Sequence, residues 1–491
     1  MSSIDYADTR AQALTFKTAL ALMLAVTLWR VVMLRFDTTD LFVDEAQYWL
    51  WGQHLDFGYY SKPPMIAWVI RLFNTLSGSN DTFWVRLSAP LFHLGSGLVL
   101  MLATRRLLGD ETAPWVGVTF VTLPAVSLSS VLVSTDTVQI FFISIALWAF
   151  FGLNRRRSAA DAVVLGLSLG LAFMTKYSVL FLMPGVAVAM ATLRSARVAW
   201  RDVFIAAIVG AIVVAPNLWW NLTHGAATVK HTQAIAHWGD DKASPFDPLG
   251  ALSFFGAQFG VVGPLVFLAI LLGVVRMVRG QCSESEKLLI WLSVPAVALI
   301  TLQALFAKAY ANWAVAAYPA GTILAVSELA RLPRGLRTSV IVNSIAAVVI
   351  PLLTVFAADL KLPNGELVMK RYMGRSAISL DVAGIAAQAG TDIVVAEDRD
   401  ILGDLFYTLR DKPLHIYARD LGGFPTSYYE QTFPFPADTA APAVLFIATE
   451  PFACDGGELI RSWQPDSGYK RGRTLYAYRV PPRCLAPTPS N

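Results

Sequence analysis

The chain has 491 residues, of which 55% are hydrophobic and only 15% charged, with a formal net charge of +4. Its mean hydropathy is +0.52. A soluble protein carries roughly a quarter charged residues, so this composition excludes a soluble globular chain, and no basic block offers a footing for nucleic acid.

The apolar residues come in runs of about 17–25, the length that crosses a hydrocarbon core of about 30 Å. Taken along the chain, spans are predicted at 16–36, 84–104, 114–132, 136–153, 160–174, 178–193, 202–219, 249–275, 288–306, 312–329 and 337–358, about eleven in all. The first run follows a mixed polar stretch, is too long for a signal-peptide core and is followed by no small-residue cleavage site. It reads as an uncleaved first helix.

Lysine and arginine set the orientation. Arg105 and Arg106, then Arg155 to Arg157, then Arg194, Arg197 and Arg201, then Arg276, Arg279 and Lys287, then Arg331, Arg334 and Arg337 fall in alternate short loops. The positive-inside rule places those loops and the N-terminus in the cytoplasm, in a multi-pass chain whose C-terminus lies on the other side. The outer stretches are then 37–83, 133–135, 175–177, 220–248, 307–311 and everything from 359 onward. Strict alternation requires an odd number of spans.

The first outer loop reads LFVDEAQYWLW (41–51) and HLDFGYYSKPPMIAWVI (54–70). Asp44 and Glu45 suit the start of a helix. Pro64 at the first helical position would start a second helix over 64–76. Trp49, Trp51, Tyr59 and Tyr60 have the amphipathic rings of a membrane interface. The loop therefore reads as two interfacial helices presenting Asp44, Glu45 and Lys62 near the headgroups. Further along, Asp136 in STDTVQIFF stands at the outer end of an apolar span, where a cap by Thr135 or Asp136 competes with a functional role. Lys176 and Tyr177 in MTKYSVLF occupy a tight outer turn, against the charge bias, which implies a partner for the lysine. The loop APNLWWNLTHGAATVKHTQAIAHW gathers Asn217, Asn221, His224, Lys230, His231 and His237. His224 and His231 would share one face if that segment were helical, but two histidines fall short of the ligands zinc needs. Lys308, Tyr310, Asn312 and Trp313 stand at the outer end of a later span.

Residues 359–491 read as a separate small α/β domain beside the transmembrane domain 1–358. TDIVVAED (391–398), PLHIYA (413–418), AVLFIA (443–448) and TLYAYRV (474–480) have strand character, and ILGDLFYTLR (401–410) has helical spacing. Cys454 and Cys484 both fall in this outer segment and are predicted to form a disulfide, whereas Cys282 falls in a cytoplasmic loop. Acids, lysines, histidines and asparagines from distant segments thus map to one membrane face, while the span interiors read as almost free of ionisable groups. That is the layout of an enzyme working at an interface. A flippase or exporter of a lipid-linked glycan would need polar residues through the bundle. A receptor or assembly factor using the tail to bind would leave the charged face without a role.

On DEAQYWLW with GYYSKPPM, STDTVQIFF, MTKYS and PNLWWN, over most of residues 15–360, the chain resembles the polytopic GT-C glycosyltransferases. It is most similar to the aminoarabinose transferase and protein mannosyltransferase group, in the rhizobial galacturonosyltransferase-like branch. The resemblance implies a mainly α, GT-C type helical bundle in a bacterial inner membrane. It also implies sugar transfer at the periplasmic face from a polyprenyl-phosphate donor to lipid A, lipopolysaccharide or another cell-envelope acceptor. Asp44 would be central to catalysis, with Lys62 and Asp136 lining the site. Aminoarabinose transferases carry an acid before that lysine which helps bind a metal. Here the residue is Ser61, so a divalent metal is not supported. The expected mechanism assigns the base to Asp44, with Glu45 as fallback, and the donor phosphate to Lys62 and Lys176, with His224 and His231 in reserve. Tyr59, Tyr60, Asp136, Tyr177, Asn217, Asn221, Lys308 and Asn312 are the expected substrate-binding residues, and one displacement would invert the anomeric centre.

Overall fold

The apolar runs fold as helices. In the computed structural model, which describes residues 14–235, 246–436 and 438–486, six helices among the described residues are long and apolar enough to cross a membrane. They are Phe16–Arg35, Thr82–Leu108, Thr135–Leu153, Trp200–Thr223, Glu284–Gln303 and Gly335–Val355. The expected single span over 249–275 is instead two helices, Pro248–Val262 and Pro264–Val278, bent by 117°. Gly263 at φ +89 makes the corner, and a Cβ there would collide with the Asn343 side chain. Pro264 supplies no N–H and disfavours helix in the residue before it.

The same device recurs. The expected span 114–132 is broken into Ala113–Thr122 and Pro124–Leu128, and 178–193 into a 3₁₀ turn, Tyr177–Leu182, and Met183–Thr192. The span 312–329 likewise divides into Ala311–Ala317 and Tyr318–Leu329. Pro124, Pro184 and Pro319 each stand in the first turn of the second piece, where proline is tolerated because that N–H has no intrahelical acceptor. The six long helices, these four divided elements and the 15-residue helix Ala159–Phe173 together account for the eleven apolar runs.

The chain divides into two compact units: Met1–Arg35 with Ser61–Val69 and Arg86–Leu352, and Phe36–Tyr60 with Ile70–Val85 and Leu353–Asn491. The first is the helical bundle. Its basic loops are tied to helix ends by ion pairs: Arg106 to Asp161 at 3.2 Å, Arg276 to Glu328 at 2.9 Å, and Arg331 to Glu286. The span interiors, read as almost free of ionisable groups, hold two exceptions among the described residues. Arg30 and His93 are both fully buried. Arg30 donates to the Val121 carbonyl at 2.6 Å and to Ser127 Oγ at 2.9 Å, and His93 Nε2 lies 2.8 Å from Ser129 Oγ. They face the bundle interior, where these carbonyl and hydroxyl groups satisfy Arg30 Nη2 and His93 Nε2 only, while Arg30 Nε and Nη1 and His93 Nδ1 have no partner among the described residues. A hydropathy average over a long apolar run hides a single polar residue of this kind.

The second unit is built on a five-stranded sheet in the order β2-β1-β3-β5-β4. The strands are β1 Ile393–Ala396, β2 His415–Ala418, β3 Val444–Ala448, β4 Glu458–Trp463 and β5 Leu475–Val480. β1 runs parallel to β2 and β3, whereas β5 is antiparallel to β3 and β4. β3 is buried along its whole length, as a central strand covered on both faces should be. The first-loop segments Phe36–Tyr60 and Ile70–Val85 belong to this unit. Thr38 Oγ1 donates to the Thr354 carbonyl at 3.0 Å, and Asp40 accepts from the Arg375 amide at 2.8 Å. The helix Val43–Gln53 packs on the helix Arg399–Thr408. In the same unit Arg375 pairs with Asp404 at 3.1 Å, both side chains almost fully buried, and Tyr469 donates to the same carboxylate at 2.8 Å. Losing one member would leave the other charge uncompensated, at a cost of about 3–5 kcal/mol.

Cys454 and Cys484 are bonded, closing a loop across a sequence separation of 30. On the loop-entropy relation a closure of that length stabilises by about 3–4 kcal/mol. Replacing both cysteines by serine is expected to lower the urea concentration at which this unit becomes protease-sensitive in the full-length protein. An unchanged midpoint would mean that the bond contributes nothing.

Candidate active site

Within the bundle unit, six of the expected site residues come together. Asp136 is in the first turn of the helix Thr135–Leu153, and the cap is made by Ser134, whose Oγ accepts the Thr137 amide at 3.4 Å, rather than by Thr135 or Asp136. Both Asp136 oxygens therefore serve side chains: Oδ1 accepts from Lys176 Nζ at 2.6 Å and Oδ2 from Asn312 Nδ2 at 2.7 Å. Lys176 sits in extended conformation between the helix Ala159–Phe173 and the 3₁₀ turn Tyr177–Leu182. The partner its position implied is Asp136. The pair is largely buried, with side-chain exposures of 14% and 11%. An ammonium has three donors, so this ion pair leaves capacity for a second anion. The next residue, Tyr177, donates to Asn217 Oδ1 at 2.8 Å and accepts from Asn221 Nδ2 at 3.2 Å. Asn217 and Asn221 sit one helical turn apart on Trp200–Thr223, both buried.

Other expected residues of this unit stand differently. Lys308 is exposed, with its ammonium 4.8 Å from the centre of the Tyr310 ring. His224 stacks on Trp220 at 4.2 Å, and its Nδ1 lies 2.9 Å from the Trp220 carbonyl. The shared helical face expected for His224 and His231 does not form. Gly225 at φ +64 and Ala226 at φ +57 end one helix, and His231 belongs to the next, Ala227–Ile235. His237 lies outside the described residues. Lys62 is half-buried beside buried Ser61, just ahead of the helix Met65–Ser77. Pro64 precedes that helix and its carbonyl accepts the Ala67 and Trp68 amides at 3.0 and 3.2 Å.

In the second unit the two first-loop acids have separate situations. Glu45 is 1% exposed and accepts the Phe42 amide at 2.9 Å, closing the start of the helix Val43–Gln53. Asp44 is half-exposed and accepts from Arg399 Nη2 at 2.6 Å. Arg399 Nε donates to Gln47 Oε1, one turn along from Asp44, at 2.9 Å. The Arg399 guanidinium is held above its ordinary value: desolvation works against the charge, and Asp44 more than offsets it. The rings expected at the headgroups are packed inside instead. Trp51 and Tyr59 stack at 4.6 Å with Tyr428 edge-on to both, and Trp49 donates to Asn80 Oδ1 at 3.0 Å. Tyr60 donates to the Pro425 carbonyl at 2.9 Å. Burial, and secondarily Glu430, push the Tyr60 phenol above its usual range.

Over 474 residues, 96% of this chain and 99% of the relative, the sequence is 55% identical to lipid A galacturonosyltransferase RgtD of Rhizobium johnstonii. The chain belongs to the RgtD family. It is a membrane glycosyltransferase. Lipopolysaccharide core galacturonosyltransferase RgtA of the same organism is 32% identical over 213 residues, 42% of each chain. Residues 61–220 match the dolichyl-phosphate-mannose-protein mannosyltransferase family. In fold, the chain resembles ArnT from Cupriavidus metallidurans in a structure bound to undecaprenyl phosphate. The TM-score is 0.66 at 15% identity, covering 96% of this chain and 99% of that one.

The matched segment 61–220 contains the Asp136, Lys176, Tyr177 and Asn217 cluster, and identity to RgtD extends through both units. Among the described residues no group of three or more His, Cys, Asp or Glu side chains could hold a metal ion. Ser61, rather than an acid, precedes Lys62. Arg399 and Gln47 were missed by sequence reasoning. Gln47 carried a signal, since it stands one turn from Asp44 in DEAQ. Arg399 carried none beyond its place after a predicted strand.

Proposed function

We propose that this RgtD-family chain transfers a galacturonosyl residue from a polyprenyl-phosphate donor to lipid A at the periplasmic face of a bacterial inner membrane. The observation that carries this reading is the 55% identity with a lipid A galacturonosyltransferase over nearly the whole of both chains. The basic loops favour a cytoplasmic N-terminus, which puts the second unit in the periplasm, and a disulfide suits that oxidising compartment.

In the proposed reaction an acceptor hydroxyl attacks the anomeric carbon, Asp44 takes the hydroxyl proton, and the bond to the phosphate oxygen breaks with inversion. Polyprenyl phosphate leaves with the bonding electrons. Lys176, together with Lys62, stabilises the charge that develops on it. Asp136 and Asn312 hold Lys176 in place, and Tyr177, Asn217 and Asn221 offer hydroxyl and amide groups to the donor. Lys308, His224 and His231 are secondary candidates for the headgroup. Within the bundle an apolar cavity of about 380 Å³, lined by Phe255, Phe267, Val297, Ala298, Leu302 and Tyr318, suits isoprene units of the donor chain.

The test is transfer by the purified full-length protein in detergent, with polyprenyl-phosphate galacturonic acid as donor and lipid A as acceptor. The expected product is lipid A carrying one added uronosyl residue by mass. Transfer onto a lipopolysaccharide core oligosaccharide and not onto lipid A would overturn the acceptor assignment.

A further inference from the structure

We infer that Arg399 binds the carboxylate of the transferred sugar and so sets a preference for a uronic acid over a neutral hexose. This rests on the galacturonosyl-transfer reading above and adds to it the residue that reads the acid.

The argument begins with how the guanidinium is held. Arg399 opens the helix Arg399–Thr408, whose cap Asp398 accepts the Asp400 and Ile401 amides at 2.9 and 3.1 Å. Asp398 is itself fixed by Lys470 at 2.6 Å, a lysine only 5% exposed. The backbone that carries Arg399 is therefore anchored by a buried ion pair. At the other end, Nη2 on Asp44 and Nε on Gln47 fix the plane of the guanidinium from one side. Its Nη1 donates to no acceptor among the described residues, while the side chain is 39% exposed. A fixed, fork-shaped cation with donor capacity to spare is the usual receptor for a carboxylate, since the planar fork matches two oxygens.

Charge balance supports the same ligand. Asp44 balances the charge of Arg399 without using its third nitrogen. A neutral hexose offers the guanidinium only a hydroxyl, whereas a carboxylate offers two oxygens and a full opposite charge to the planar fork. The aromatic side chains in electrostatic range of Arg399, namely Tyr48, Tyr60 and Tyr429, carry no opposing charge at neutral pH. In the proposed reaction Asp44 faces the acceptor hydroxyl at the anomeric carbon. The sugar carboxylate stands on the same ring, a few ångströms away. One residue next to the base can therefore read the acid without a second pocket.

The experiment compares polyprenyl-phosphate galacturonic acid with polyprenyl-phosphate galactose, on wild type, Arg399→Gln and Arg399→Lys. Transfer to lipid A gives kcat/KM for each donor, and the shift in thermal unfolding midpoint with each donor gives binding without turnover. The glutamine variant is expected to lose about 10- to 100-fold more on the uronosyl donor than on the galactosyl donor, the range of one charge-assisted hydrogen bond. The uronosyl donor should also lose its extra thermal stabilisation. Arg399→Lys, which keeps the charge and loses the fork, should fall between. Equal losses on both donors would overturn the inference and leave Arg399 as a positioning residue for Asp44. No loss on either would overturn both roles. A wild type that binds the uronosyl donor more tightly but transfers nothing to lipid A would refute the acceptor reading, while the binding comparison still decides the role of Arg399.

Discussion

Asp44→Asn is expected to lower kcat/KM for galacturonosyl transfer by about 10²–10⁴-fold, the usual contribution of a positioned general base. The substitution is nearly isosteric, and its amide oxygen still accepts from Arg399, which Asp44 meets at 2.6 Å. The helix Val43–Gln53 should therefore survive. What disappears is the capacity to take a proton. Glu45→Gln makes the contrast. Glu45 is 1% exposed and accepts the Phe42 amide at the head of that helix. Glutamine's amide oxygen can still accept that N–H, as either residue does at this position, so the cost should stay below about 1 kcal/mol, with turnover per folded molecule largely kept. The measurement is initial rate against concentration of folded protein, with thermal midpoints alongside. If Glu45→Gln abolished turnover in folded protein while Asp44→Asn did not, the base would be Glu45. Two adjacent acids that look alike in sequence are separated by burial and by which group each one holds.

The apolar runs and basic loops were legible because the bilayer imposes length and the positive-inside rule imposes charge. Helix breaks were harder to see, although their signal was present. Pro124, Pro184, Pro264 and Pro319 all lie inside apparently continuous runs, and a hydropathy window treats proline as one more weak residue. In the tail, β1, β2, β3 and β5 stood out by their β-branched and aromatic residues. β4, Glu458–Trp463, did not, because it is largely exposed on both faces and shows no alternation. The helix Arg375–Ala389 escaped for a related reason. It is rich in alanine and serine, and only Ile378, Val382 and Ile385 mark its buried stripe. The sites divide in the same way. Asp136, Lys176 and Asn312 could be proposed because each is polar at the edge of an apolar run, yet only folding could pair them. Arg399 lies 355 residues from Asp44. No local pattern distinguishes it from the other arginines of the tail. The grouping of residues 36–60 and 70–85 with the tail was also invisible, since contacts such as Thr38 to Thr354 link residues 316 apart.

Lys176→Met is expected to reduce kcat/KM by about 10²–10³-fold, the range seen when one donor to a developing negative charge is removed. Methionine keeps the length and apolar stem of lysine and deletes the ammonium. If that ammonium acts on the leaving phosphate, its effect should fall mainly on kcat, because the phosphate carries more charge in the transition state than in the bound donor. A lysine that only braced the bundle through Asp136 would behave otherwise. Removing it would leave a carboxylate with 11% exposure paired to Asn312 alone, so the thermal midpoint would fall while turnover by the folded fraction persisted. The double variant Lys176→Met with Asp136→Asn separates the two. It relieves the stranded carboxylate, and should recover the midpoint lost in Lys176→Met but none of the lost kcat. Recovery of kcat in the double variant would mean that Lys176 serves the fold and that another cation, with Lys62 first in line, carries the phosphate.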